Sequence, residues 1–266
     1  MKAKTTFKLI RGKSPLVVSM PHVGTHIPTW LTPRFTEDAL ALSDTDWYLD
    51  ELYDFLEALD ATVIIATHSR YVIDLNRPSN DTNLYPGKNT TGLCPINSFS
   101  QNPLYLKGLE PAALEISSRV SDYWQPFHNT LADELARVKH LHGRAMLWDA
   151  HSICSYLPRF FDGELPNLSI GTADNQSCAA SLTQALELVL AKFSQYSYAI
   201  NGRFKGGYIT RHYGQPEHNI HAVQLEIAMR SYMQESTPYR IDRKRSLALR
   251  PVLLDLLNTM VSWEQT

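Results

Sequence analysis

Along this chain, short apolar runs closed by turn residues alternate with stretches in which apolar side chains recur every three to four positions. The runs at 15–20, 62–66, 71–73, 144–148, 168–171, 198–200, 207–210 and 221–227 predict strands. Between them, Leu49, Leu52, Tyr53, Leu56 and Leu59 fall on one helical face, with Ser43 or Asp44 available to cap its start. Helical period also spans 111–142, 178–193 and 243–263. Strands alternating with helices predict an α/β fold, a mostly parallel or mixed twisted sheet flanked by helices. Residues 76–107 break the pattern: Pro, Asn, Gly and Thr dominate and no period survives, so a long ordered loop of the kind that often carries function is expected there. No repeat or low-complexity linker divides residues 1–266, which predicts a single domain.

Composition narrows the function classes. With 44% hydrophobic and 20% charged residues, the chain can bury a substantial core. Its 25 Lys and Arg against 27 Asp and Glu give a formal charge of -2, which argues against a broad nucleic-acid or membrane footprint and requires any bound anion to be met locally. Cysteines at 94, 154 and 178 form neither a C-x-x-C pair nor a disulfide framework. The segment MKAKTTFKLIRGK lacks the apolar core of a signal peptide, and no window has the roughly 18 apolar residues of a membrane span. A cytoplasmic location is the expectation.

The chemistry-bearing residues gather where strands end. "LVVSMPH" ends in His22, "YVIDLNR" in Asp74, Asn76 and Arg77, "AMLWDAH" in Asp149 and His151, and "AVQLEI" carries Glu226. In an open α/β sheet the crevice beyond the strand ends is where ligands bind. Imidazole and carboxylate together suit Zn²⁺, whose catalytic sites use three protein ligands and leave a position open. His22 and His151 are the expected metal ligands, and Asp44 or Asp46 offers the third. Asp149, two residues before His151, points to the same side of an extended strand and can either orient the imidazole or cap the strand. His26 follows His22 by four, but Pro21, Gly24 and Pro28 exclude the helix that would pair them, so a loop role is expected. Arg77 is suited to grip a carboxylate with two parallel bonds, and Arg203, Lys205, Arg211 and His212 form a second cationic group. There is no G-x-S-x-G, H-E-x-x-H, G-x-G-x-x-G or complete P-loop.

Taken in order, "SMPHVGTHIP", "SDTDWYLDELYDFL", "SRYVIDLNRP", "WDAHSI", "GRFKGGYITRHYG" and "HAVQLEI" resemble the N-formylglutamate amidohydrolase family over most of the chain. The resemblance implies a fold similar to zinc carboxypeptidases and aspartoacylase, with one divalent metal, usually Zn²⁺, although Co²⁺ or Mn²⁺ would serve. It implies hydrolysis of N-formyl-L-glutamate, a small dicarboxylate, to formate and L-glutamate in histidine degradation. In the distant relatives a Glu follows the first metal-binding His by three; here Thr25 stands in that place, so a carboxylate must come from elsewhere, and Asp44 is the choice over Asp46. The implied roles are metal binding for His22, Asp44 and His151, general base for Glu226, and carbonyl polarisation for Arg70. Asn76 with Arg77 would hold one substrate carboxylate, and Arg211 with Arg203 the other. Two alternatives stand beside this: a related zinc amidohydrolase or carboxypeptidase acting on another N-acyl or C-terminal acidic amino acid, and a non-catalytic dicarboxylate-binding protein. Nothing in the sequence indicates the oligomeric state.

Overall fold

The structure, a computed structural model, describes residues 5–84, 87 and 89–264. Seven strands form one mixed sheet: β1 (Phe7–Ile10), β2 (Leu16–Met20), β3 (Thr62–Ala66), β4 (Ala145–Ile153), β5 (Leu168–Gly171), β6 (Tyr198–Ile200) and β7 (Ile220–Ala228), in the order β1-β3-β2-β4-β7-β5-β6. The central four, β3, β2, β4 and β7, run parallel, while β1 and β5 pair antiparallel to β3 and β7. A short ribbon of β8 (Met233–Gln234) and β9 (Arg240–Ile241) lies apart. The helices are α1 (Glu37–Leu40), α2 (Leu49–Leu52), α3 (Ala113–Arg119), α4 (Gln125–His142), α5 (Ala180–Ala191), α6 (Tyr208–Tyr213) and α7 (Arg243–Ser262). This is the single α/β domain that the alternation of periods predicts. None of the helices described is long and apolar enough to cross a membrane.

Strand alternation decides on which face the chemistry sits. Leu16, Val18, Met20, Met146, Trp148, Ala150, Val223, Leu225 and Ile227 pack with residues of α2, α5 and α7 on one side of the sheet. Val17, Ala145, Leu147 and Ala222 pack on the other, with α4 and α6. Continuing each period of two along β4 and β7 puts Asp149 and His151, and Gln224 and Glu226, on the α4/α6 side. The chain places β3 on one flank of β2 and β4 on the other, so strand order reverses between β2 and β4. Such a reversal opens a crevice at the carboxyl ends of the strands.

Several local expectations are corrected. Residues 71–73 form a turn: Val72 N bonds Ser69 O at 2.9 Å, and the side chains of Tyr71, Val72 and Ile73 are buried without joining the sheet. Residues 207–210 open α6 because Gln224 Oε1 accepts from Gly207 N and Asn76 Oδ1 from Ile209 N, two tertiary bonds that outweigh local strand propensity. The helix expected from Leu49 stops after one turn and continues as a 3₁₀ turn, Asp54–Glu57; its N-cap is Tyr48, in a left-handed conformation, and not Ser43 or Asp44. The strand β1 forms outside the expected runs, in a segment where apolar and basic residues alternate. No helix or strand forms among the described residues of 76–107, while 85, 86 and 88 of that expected loop lie outside the described residues.

On α4, His128 is buried against Leu75 O, its Nε2 2.8 Å away, and burial pushes its pKa down to about 3. Below pH 6.5 the unfolded chain binds a proton that the native protein refuses, so stability is lost as the pH falls from 6.5 towards 3. Between pH 7 and 5 this single imidazole is expected to cost about 2 kcal/mol. Urea titrations at the two pH values should show that loss in the natural protein and a flatter dependence in His128→Gln.

Candidate active site

The end of β2 and the loop before α2 are tied together where Asp46 N bonds His22 O at 3.0 Å. That bond brings Asp46 beneath the crevice. Its Oδ2 lies 3.0 Å from His151 Nδ1 and 3.8 Å from His22 Nδ1, and the two rings have centroids 4.9 Å apart. One potential ligand atom from each of His22, Asp46 and His151 falls within 4.8 Å of the others, and all three residues are buried. The outer nitrogen of each imidazole meets a carboxylate: His22 Nε2 lies 2.7 Å from Asp74 Oδ1, and His151 Nε2 3.0 Å from Asp149 Oδ2. A proton on each Nε2 satisfies those bonds and turns both Nδ1 lone pairs towards Asp46. Arg70 Nη1, 3.3 Å from His22 Nδ1, can only donate to it and so supports this tautomer.

The electrostatics favour positive charge between the imidazoles. Burial, reinforced by Arg70, lowers the pKa of His22, keeping it neutral and able to donate a lone pair. Burial also opposes protonation of His151, but Asp149 and Asp46 outweigh it and hold its pKa well above the ordinary value. A positive charge is therefore favoured on His151, between Asp149 and Asp46. Asp74 stays ionised, because Arg70 and His22 overcome the cost of its burial. Glu226, register partner of His151 across β4 and β7, is pushed up to about 8 by burial, with the Asp46 and Asp149 carboxylates adding to the shift. Gln224 Nε2 donates to Glu226 Oε2 at 3.2 Å, and Gln224 is itself oriented by Gly207 N.

Of these groups, all but Asp149 line a cleft with an empty volume of about 670 Å³, together with Asn76, Arg77, Phe99, Phe160, Arg203 and Phe204. The Arg70 guanidinium stacks over Phe99 at 4.6 Å and donates to Asp74 Oδ2 at 2.5 Å. Arg203 Nε bonds Phe160 O, and its guanidinium lies 5.2 Å from the Phe204 ring centroid. The arrangement combines three convergent N and O donors, a buried carboxylate with a raised pKa, and cationic side chains along the wall. Such a set can polarise a carbonyl, move a proton and hold an anion.

Residues 14–233 match the family model described as N-formylglutamate amidohydrolase. The chain belongs to the N-formylglutamate amidohydrolase family. It is 48% identical over 253 residues to the N-formylglutamate deformylase of Pseudomonas aeruginosa, covering 95% of each protein. It is 45% identical to the N-formylglutamate deformylase of Pseudomonas putida, covering 95% of this chain and 94% of that one. The crystal structure of N-formylglutamate amidohydrolase from Ralstonia eutropha JMP134 shares the fold, with a TM-score of 0.81 at 24% identity over 96% of this chain and 97% of that one.

Of the residues expected from sequence, His22, His151, Glu226, Arg70, Asn76, Arg77 and Arg203 meet in this cleft of the family fold. Asp44 does not. Its carboxylate accepts from Phe99 N at 2.7 Å and Ser43 Oγ at 3.0 Å, and Asp46 takes the place beside the imidazoles. Arg211 is a second correction: it is not among the residues lining the cleft, and its Nε donates to Gly206 O at 2.9 Å. Asn76 reaches the cleft, but its amide is engaged. Oδ1 accepts from Ile209 N, and Nδ2 donates to Asp149 Oδ2 at 3.1 Å, close beside His151 Nε2 at 2.8 Å, so it steadies the carboxylate that backs His151. Asp149 backs His151, resolving its two alternatives. Gln224 was missed, although its signal was present: a polar residue two before Glu226 shares its strand face.

Proposed function

We infer that this protein is a metal-dependent amidohydrolase that cleaves N-formyl-L-glutamate to formate and L-glutamate. The observation that carries the metal is the trio His22, Asp46 and His151, with each imidazole backed by its own carboxylate. The donor set fits Zn²⁺, and Co²⁺ or Mn²⁺ would also find acceptable ligands in it. A divalent ion bound there would supply a Lewis acid and ease deprotonation of water.

The chain's own groups then have definite tasks. Glu226, the register partner of His151 on the neighbouring strand, takes a proton from the water that attacks the formyl carbon. A divalent cation bound beside it would favour its ionised form, and the burial that disfavours its charge makes it the stronger base, so that it holds the proton and returns it to the glutamate nitrogen as the C–N bond breaks. Gln224 fixes one oxygen of Glu226, so the other faces the reaction. Arg70, buried and always charged, donates to the carbonyl oxygen as negative charge develops. Arg77 and Arg203 meet the two substrate carboxylates, which places anion recognition in a chain of near-neutral total charge.

Formate release across N-formyl and N-acetyl amino acids tests this reading. N-formyl-L-glutamate is expected to give the highest kcat/KM; equal rates on N-formyl-leucine, or a preference for acetyl donors, would overturn it. Arg77→Ala is expected to raise KM for N-formyl-L-glutamate about 10- to 100-fold, the value of a bond to a charged group. Steady-state kinetics would check this.

A further inference from the structure

A second set of aromatic residues stands behind the cleft. The helix α4 is preceded by a π turn, Val120–Trp124. A π turn inserts one residue, about 100° of rotation, into a helix, and such bulges recur near functional sites. Trp124, His128, Leu131, Leu135 and Val138 follow one another along a buried stripe. The first two carry ring N–H groups, and both reach the backbone of the segment 74–77. Trp124 Nε1 donates to Arg77 O at 2.8 Å, and His128 Nε2 to Leu75 O at 2.8 Å. A carbonyl can only accept, so the His128 proton resides on Nε2, and Nδ1 faces the Tyr213 hydroxyl at 3.0 Å. The indole and imidazole rings lie 3.9 Å apart, tilted by 31°. Neither residue lines the cleft.

The segment they hold presents three groups to the site: Asp74 to His22, Asn76 to His151 and Asp149, and Arg77 to the cleft itself. Arg77 O belongs to the peptide bond before Pro78, whose ring already restricts the backbone of Arg77. Fixing that oxygen fixes the direction in which the Arg77 side chain leaves the main chain. We propose that Trp124 is a positioning residue for substrate binding, acting through its bond to Arg77 O with His128 bracing the indole from below. This rests on the reading of Arg77 as a carboxylate-binding residue.

A double-mutant cycle tests it, with kcat, KM for N-formyl-L-glutamate and Tm measured for Trp124→Phe, Arg77→Ala and the pair. Phenylalanine keeps a ring against His128 and removes the donor together with part of the buried indole's bulk, a packing loss that Tm reads separately. Trp124→Phe is expected to raise KM about five- to tenfold, the worth of one hydrogen bond. It should change kcat less than about twofold and Tm by only a few degrees. In the Arg77→Ala background it should add nothing further to KM. An unchanged KM, an equal rise in KM with and without Arg77, or a fall confined to Tm and kcat would overturn the proposal. If Arg77→Ala itself left KM unchanged, the Arg77 assignment would fail, and the proposal with it.

Discussion

Glu226→Gln is expected to lower kcat for N-formyl-L-glutamate roughly 10²- to 10⁴-fold while leaving metal content unchanged. Glutamine has the shape of glutamate but cannot take a proton from water, and it lies outside the trio that would hold the ion. It can still accept from Gln224 Nε2, so the local geometry has a reason to persist. The same substitution has a signature in stability. The pKa of Glu226 is raised by burial to about 8, so the native protein binds this proton more tightly than the unfolded chain does. Its contribution is complete below the unfolded value and is lost as the pH rises through about 8. Melting curves of metal-stripped protein should show Tm falling from pH 5 to 8 in the natural sequence, and falling less in Glu226→Gln. Full turnover in that variant would remove Glu226 from the reaction.

The second large effect separates two neighbouring aspartates. Asp46→Asn is expected to weaken zinc binding by more than about 100-fold, beyond the loss typical of removing an outer partner of a metal ligand. It replaces the anionic oxygen that faces both Nδ1 atoms. Asp44→Asn should leave zinc affinity nearly unchanged, because the Asp44 carboxylate serves Phe99 N and Ser43, and an amide oxygen can still accept from that N–H. Chelator competition on tag-free protein reads both affinities, and activity should follow metal content through removal and readdition. Reversal of the two results would restore Asp44 to the metal site.

Local pattern carried the sheet and the strand ends further than it carried the side-chain partners. Period-two alternation in "AMLWDAH" places Asp149 and His151 on one face, where both are found, because a buried parallel strand leaves no freedom of register. Residues 71–73 and 207–210 have strand-like composition but are held by Ser69, Asn76 and Gln224, partners that sequence spacing does not reveal. The choice between Asp44 and Asp46 turned on a loop. The backbone bond from Asp46 N to His22 O aims one carboxylate inward, and Phe99 N captures the other. Asn76 stands at the cleft where its strand-end position implies, while its bonds to Ile209 and Asp149 come from distant elements that the sequence does not reveal. Arg211 belongs to a cationic cluster in the sequence, but α6 carries it away from the cleft lining.

Diffraction from zinc-loaded, tag-free crystals, recorded on both sides of the zinc absorption edge, bears most directly on the metal centre. A single anomalous peak is expected about 2.0–2.2 Å from His22 Nδ1, His151 Nδ1 and a carboxylate oxygen of Asp46. A peak bound by Asp44 or elsewhere in the cleft, or no peak from active crystals, would contradict it.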